Sequence, residues 1–221
     1  MPATGMANTG FQPASSASEI SFEAFIRDLE SVVEAVGLKQ FVLFGVSDGA
    51  ALSIAYAVKH PDRVKKLVIL AGYAEGVKLR GLSIDEAQFE ASATMIKPGF
   101  GEHNQLVKTM FASLFIPDGT AQQVEWLQGL QVKSNSSENT VRKLEMSGQV
   151  NVVGLLPQVR AQTIVLHCRD DRQQPLSQGR KLAAGIAGAK FVALEGRNHF
   201  LLEQDAGWSV FQDEVGTFLA A

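Results

Sequence analysis

The chain carries a single cysteine, Cys168, among its 221 residues. One thiol cannot form an internal disulfide. Because a low cysteine content is typical of a reducing compartment, we expect a cytoplasmic location. We interpret Cys168 as a small apolar side chain at the end of a strand.

Long apolar runs and an excess of charge are also missing. No stretch reaches the roughly 20 apolar residues that span a bilayer. The first twenty residues, rich in Ala, Ser, Gly, Thr and Pro, lack the positive head and apolar core of a secretory signal. Lys and Arg total 20 against 23 Asp and Glu, with no basic patch of the kind that neutralises phosphates. We therefore expect one soluble globular unit with no membrane or nucleic-acid partner, and a flexible arm over residues 1–20.

What is present is a pattern of short apolar runs separated by helical stripes. A helix is predicted over residues 21–35 and another over 49–60, which Pro61 ends. Continuous apolar runs too short for helices predict buried parallel strands at Phe41–Val46, 64–71, 163–167 and Lys190–Leu194. Two further helices, 177–187 and 208–219, follow the third and fourth strands.

The middle of the chain changes to helical periodicity. Helices are predicted over residues 84–95, 105–114, 121–130 and 139–146, with no strand pattern between them. This order is typical of a doubly wound, mainly parallel α/β sheet with an inserted helical cap and an active site at the carboxyl ends of the strands. We predict a core formed by residues 21–74 and 156–221, and a cap formed by residues 75–155.

The motif G-x-S-x-G occupies residues 45–49, between the first predicted strand and the following helix. A serine at such a turn takes up a strained backbone that exposes its hydroxyl, and the flanking glycines remove side chains that would collide with the neighbouring elements. Ser47 is therefore the candidate nucleophile. The alternative is a tight turn that uses Ser47 only to cap the helix.

A serine nucleophile needs an imidazole base and a carboxylate that orients it. Among the four histidines, His199 lies in a loop just after the last predicted strand, at the same sheet edge as Ser47. Asp171 follows the preceding strand, and we prefer it to Asp170, which we expect to face solvent or a neighbouring arginine. The alternatives are a surface-loop histidine and a hydrated turn acid beside arginines. Phe200 is a candidate wall of the substrate pocket, and we expect no metal and no cofactor.

Together these residues resemble the α/β-hydrolase superfamily, most closely the bacterial hydrolase domains that occur alone or fused to helix-turn-helix regulators and nucleotide cyclases. The resembling stretches are Ser21-Phe22 through Leu29-Glu30, Ala55-Tyr56-Ala57 with His60-Pro61, Gly72-Tyr73-Ala74, Phe115-Ile116-Pro117 and Gly196-Arg197-Asn198-His199. The resemblance implies ester or related acyl hydrolysis, with Ser47 as nucleophile, His199 as acid and base, and Asp171 as its orienter.

One part of the resemblance is incomplete. Similar hydrolases have several strands and a His-Gly loop before the nucleophile, whereas here one helix and the arm precede it, so we expect a truncated α/β-hydrolase fold. The backbone N–H of Asp48 is the one oxyanion donor that can be assigned; the second is unknown, with Gly5 and Gly10 of the arm as candidates. The carboxylate of Asp48 is expected to cap the start of the helix, where an acid is favourable; the alternative is that it repels acidic substrates.

The truncation also turns a normally central strand into an edge. Apolar edges tend to pair with another chain, so we predict a homodimer, formed through the Phe41–Val46 strand edge or by exchange of the arm. The alternative is that the arm folds back over the edge and leaves a monomer. Three functions are consistent with these features. The first is a serine hydrolase of small carboxylic esters; the second is a weak or silent hydrolase-like module that binds a ligand or a partner. The third, ranked below both, is cofactor-free peroxidation or cleavage of a carbon–carbon bond by the same three residues.

Overall fold

The computed structural model of the protein describes residues 19–81, 83–99, 105–134 and 136–221. Its strands form one parallel sheet whose spatial order β1-β2-β3-β4 is also their order along the chain. The strands are β1 (Phe41–Val46), β2 (Val64–Leu70), β3 (Gln162–Cys168) and β4 (Lys190–Leu194). All four predicted strands are therefore confirmed.

Helices cover both faces of this sheet and fill its long connection. In chain order they are α1 (Phe22–Val36), α2 (Asp48–Lys59), α3 (Ser83–Gly99), α4 (Gln105–Phe115), α5 (Ala121–Ser134), α6 (Ser137–Gln149), α7 (Leu176–Gly185) and α8 (Trp208–Ala220). We refer to α3, α4, α5 and α6, which lie between β2 and β3 as predicted, as the inserted helices. Short 3-10 turns, Val77–Leu79 and Val153–Gln158, flank them.

Two apolar clusters, one on each face of the sheet, form its core, and two smaller clusters lie among the inserted helices. Successive side chains of a strand point to opposite faces, and β2 shows this directly. Leu67 and Ile69 join the cluster packed under α1, α2 and α7, whereas Val68 and Leu70 join the cluster under α8. Every one of these four side chains is at most 5% exposed. The sheet is thus a buried platform that holds its carboxyl edge in place.

Local signals explain where the first helix begins and ends. The Ser21 hydroxyl accepts the Ala24 N–H at 3.1 Å, as an N-cap does, and Gly37 ends α1 with a positive φ of 71°. Both signals are readable in the sequence. They bring the chain into β1 directly before the strand-to-helix turn at residues 45–49, which we call the elbow.

The outer side of β1 is an apolar edge. Within the described residues β1 pairs only with β2, and the side chains of Val42 and Phe44 are 37% and 44% exposed. Most of the predicted arm, including Gly5 and Gly10, lies outside the described residues. No helix in the described ranges is both long and apolar enough to cross a membrane.

Candidate active site

The elbow places Ser47 at the carboxyl end of β1 in a strained conformation. Its φ of 55° and ψ of −122° are rare for a residue with a side chain. The Ser47 N–H donates to the Leu70 carbonyl at the end of β2, at 3.1 Å. Its side chain makes no capping hydrogen bond to α2, so the alternative that Ser47 is only a helix cap is not what the structure shows.

The two glycines of the elbow play different parts. A Cβ atom on Gly45 would lie 2.6 Å from the Gly49 carbonyl oxygen and 2.6 Å from the Ser53 hydroxyl, so the turn requires glycine there. A Cβ on Gly49 would meet no described atom within 4 Å. The expected collision is confirmed for Gly45 and is wrong for Gly49 as far as the described residues extend.

A buried acid and imidazole meet at the ends of β3 and β4. His199 Nδ1 donates to Asp171 Oδ2 at 2.8 Å, and the two residues are 0% and 8% exposed. The other carboxylate oxygen of Asp171 accepts backbone N–H groups from Gln173 and Gln174 at 2.8 and 3.1 Å. Asp170 is exposed, as predicted. The alternatives of a surface-loop histidine and a hydrated acid are therefore wrong for this pair.

The second nitrogen of the His199 ring is left available. A carboxylate only accepts, so the bond to Asp171 requires the proton on Nδ1 and makes Nε2 the basic nitrogen. Nε2 is buried and has no hydrogen-bond partner. In the described part of the chain no hydrogen bond joins it to the Ser47 hydroxyl, and such catalytic bonds are often long before a substrate binds.

The loop that carries His199 is held from both sides. The fully buried Asn198 accepts the Asp118 N–H at 2.9 Å and donates to Asp205 at 2.8 Å. The backbone N–H of His199 donates to the Phe115 carbonyl at the end of α4, at 2.8 Å. The inserted helices therefore help to position the imidazole. Sequence reasoning assigned no role to Asn198, although it directly precedes His199.

Aromatic rings surround the imidazole. The ring of Phe115 lies edge-on to His199 at 5.6 Å and stacks on Phe200 at 5.1 Å. Phe200, the predicted pocket residue, is half-buried and packs with Ile116, directly after α4, and with Leu127 of α5. Its ring centroid is 5.2 Å from that of His199. The structure brings Phe200 beside the imidazole, and its contact with substrate stays a prediction.

A second imidazole, His167, lies beside the same carboxylate. It is fully buried, its Nε2 is 2.9 Å from the Gln174 carbonyl and 3.5 Å from Asp171 Oδ2, and burial lowers its pKa. Sequence reasoning missed this contact. The available signal was a histidine four residues before Asp171, at the end of the same strand. Cys168, the next residue, is buried as predicted, and burial raises its pKa to about 12.

Asp48 opens α2, where backbone N–H groups have no acceptor within the helix. This position is the one expected of an oxyanion donor. The carboxylate does not turn back to the helix, however. It accepts the Tyr73 hydroxyl at 2.7 Å and the Ser147 hydroxyl at 3.0 Å. Burial and the Asp48 charge raise the pKa of Tyr73 well above its usual value.

A separate cleft of about 400 Å³ lies near the amino ends of the strands, away from this site. Its lining includes Glu30 and His60, and Glu30 pairs with His60 at 2.6 Å and with Lys59 at 2.7 Å. The cleft holds neither Ser47 nor the acid and imidazole pair. In the described ranges no three His, Cys, Asp or Glu side chains are grouped to hold a metal ion.

Comparison with known proteins identifies the family of the chain. The family described as alpha/beta hydrolase fold matches residues 5–206. The chain is 27% identical over 207 residues to the 2-hydroxy-6-oxononadienedioate/2-hydroxy-6-oxononatrienedioate hydrolase of Escherichia coli (strain K12), covering 88% of this chain and 67% of that protein.

Solved structures show the same fold. The esterase EaEST of Exiguobacterium antarcticum superposes with a TM-score of 0.78 at 19% identity, over 91% of this chain and 74% of the esterase. The enol-lactonase of Burkholderia xenovorans LB400 does so with a TM-score of 0.71 at 18% identity, again over 91% of this chain and 74% of the other. Because the family match takes in most of the chain and the parallel sheet agrees with it, the protein belongs to the α/β-hydrolase family.

Proposed function

We propose that the protein is a serine hydrolase that cleaves small carboxylic esters through an acyl-enzyme intermediate. The observation that carries the proposal is the buried bond of 2.8 Å between His199 and Asp171, with the basic nitrogen of His199 unpartnered. A strained serine stands at the same edge of the sheet. The inserted helices supply the neighbouring apolar side chains and would act as the cap.

The chemistry follows from these positions. Ser47 Oγ attacks the ester carbonyl while His199 Nε2 takes its proton, and the imidazolium then gives that proton to the departing alcohol. Asp171 keeps the imidazole in the required tautomer. Water, deprotonated by His199, attacks the acyl-enzyme, releases the carboxylic acid and regenerates Ser47. The Asp48 N–H would donate to the oxyanion, and the second donor is unassigned.

Ester cleavage is tested with nitrophenyl acetate and butyrate. Ser47→Ala should lower kcat by about 10³-fold or more, because the covalent step is lost. The matched control is Ser31→Ala, which removes an exposed hydroxyl of α1 and should leave the rate unchanged. Circular dichroism confirms that both variants fold. An unchanged rate in Ser47→Ala would exclude Ser47 as the nucleophile.

Hydrolysis of a carbon–carbon bond is the second candidate. It is favoured by the E. coli relative, whose name describes a hydrolase of 2-hydroxy-6-oxo dioates. The same serine and imidazole would serve both reactions. The two are separated by offering the protein a nitrophenyl ester and a 2-hydroxy-6-oxo-dienoate in parallel, and comparing kcat/KM. A dienoate that is turned over faster than any ester would replace the first proposal.

A silent binding module is the remaining alternative, in keeping with the unassigned second oxyanion donor. A fluorophosphonate probe distinguishes it from an enzyme, because an activated serine reacts and a mere binding pocket does not. Mass spectrometry of the intact protein and of its peptides should find one probe, on Ser47. Unlabelled protein that also fails to cleave esters would favour the module.

A further inference from the structure

The carboxylate of Asp48 is fixed where the elbow meets the inserted helices. Its two oxygens accept different hydroxyls, one from Tyr73 just beyond β2 and one from Ser147 of α6. Tyr73 is 1% exposed, so its side chain cannot swing away. Acceptance by both oxygens is the pattern of an ionised carboxylate. The charge therefore has a defined position beside the nucleophile.

The charge is only partly neutralised. Lys143 of α6 places Nζ 3.7 Å from Asp48 Oδ2, but its side chain is 41% exposed and that of Asp48 is 27% exposed. The Ser147 hydroxyl has one proton, which it shares between Asp48 and the Lys143 carbonyl at 2.9 Å. An exposed ion pair of this kind is weak, so the negative charge of Asp48 still interacts with a molecule bound near Ser47.

We propose that Asp48 determines the charge preference of the site, favouring substrates with neutral acyl groups over substrates with acidic ones. The inference rests on the proposed ester hydrolysis and narrows its substrate class. Asp48 directly follows Ser47, and neighbouring Cα atoms are about 3.8 Å apart, so the fixed charge of Asp48 acts over a short range on an acyl group attached to Ser47.

Matched substrates measure the effect. Methyl butyrate and monomethyl succinate have the same number of acyl carbons, and the second replaces a methyl group by a carboxylate. We define the selectivity as kcat/KM for the neutral ester divided by kcat/KM for the acidic ester. Both rates are measured from the acid released at constant pH. Asp48→Asn removes the charge while its amide still accepts from Tyr73 and donates to Ser147.

The two neighbouring charges should act in opposite directions. Asp48→Asn should lower the selectivity by roughly three- to thirtyfold, as expected for two unit charges several ångströms apart at a partly exposed site. Lys143→Gln should raise it, because the compensating cation is gone. Glu138→Gln removes an exposed acid at the other end of α6 and is the matched control, with no change expected. Added salt should shrink both effects.

A binding measurement separates this proposal from the proposed function. In the Ser47→Ala background no acyl-enzyme forms, so NMR titration reports the Kd of each intact ester. Adding Asp48→Asn should tighten binding of monomethyl succinate relative to methyl butyrate. If wild-type protein turns over neither ester, the hydrolase proposal fails, yet this shift still supports the charge preference. Equal Kd ratios with and without Asp48→Asn, or no measurable binding of either ester, would overturn it.

Discussion

The His167 and His199 rings both lie beside the Asp171 carboxylate, but the nitrogen that faces away from it has different surroundings in each ring. Both imidazoles are fully buried beside Asp171. The Nδ1 of His167 has no partner and faces Gly179, where an added Cβ would lie 2.6 Å from it. Its Nε2 donates to the Gln174 carbonyl. His167 is therefore a neutral positioning group that braces the loop of Asp171, and no substrate can reach it.

The neutral state of His167 predicts a pH-dependent stability. Burial lowers its pKa in the folded protein from 6.5, whereas the unfolded chain keeps the ordinary value. As the pH falls below about 6.5 the unfolded chain binds the proton first, so stability present at neutral pH is lost. The loss is at most about 1.4 kcal/mol for each pH unit within that window.

Urea unfolding of the wild type at pH 7.5 and pH 5.5 measures this loss. His167→Gln retains an N–H donor for the Gln174 carbonyl and removes the titration, so its stability should change less between the two pH values. His60→Gln, at the other edge of the sheet and half-buried, is the comparison variant. An equal acid-induced loss in wild type and His167→Gln would show that other groups govern it.

The two glycines of the elbow should respond differently to an added methyl group. Gly45→Ala should destabilise the protein by about 1–3 kcal/mol, because the new Cβ overlaps the start of α2 and the turn must shift. Gly49→Ala lies inside α2 with space around it and should be neutral or stabilise by up to about 1 kcal/mol. Free energies of unfolding from urea titrations compare the two.

Activity gives the elbow prediction a second measurement. Gly45→Ala should also lower the rate of ester hydrolysis, since displacement of the turn moves Ser47. A Gly45→Ala protein as stable and as active as wild type would show that the close contacts at Gly45 do not constrain the turn.

Elements were predictable here because their signals are local. Short apolar runs define the strands, and Ser21 and Gly37 mark the ends of α1. The meeting of Asp171 with His199 was predictable because residues that follow parallel strands share one edge. The contact of Asp48 with Ser147 was not, since 99 residues separate them and only the packing of α6 joins them. The collision predicted at Gly49 was wrong for a related reason. Whether space is free around a residue depends on the packing of distant parts of the chain.

The apolar edge of β1 is a property of the whole molecule. In the described residues its outer side has no partner strand, while Val42 and Phe44 expose a large part of their side chains. Phe44 lies against Phe211 of α8, with ring centroids 6.4 Å apart, so the exposed surface continues from the sheet onto this helix. Unpaired N–H and C=O groups together with apolar side chains form a template for another strand.

We therefore propose that the protein is a homodimer, formed by pairing of β1 edges across a two-fold axis or by exchange of the arm. Light scattering during size-exclusion chromatography should give twice the chain mass of 23.8 kDa at micromolar concentration. Phe44→Lys places a charge on the edge and should yield a monomer. Trp126→Lys changes a side chain that is 66% exposed on α5 and should leave the dimer intact.

The two modes of association respond differently to loss of the arm. A protein lacking residues 1–18 keeps β1 and should remain dimeric if the strands pair, whereas exchange of the arm requires those residues and would give a monomer. Phe44→Lys should give a monomer in either mode, because the apolar edge of β1 is buried in both, so loss of the arm is the measurement that separates the two modes. A wild-type protein that runs as a monomer at micromolar concentration would exclude both modes and favour the alternative in which the arm folds back over the edge of β1.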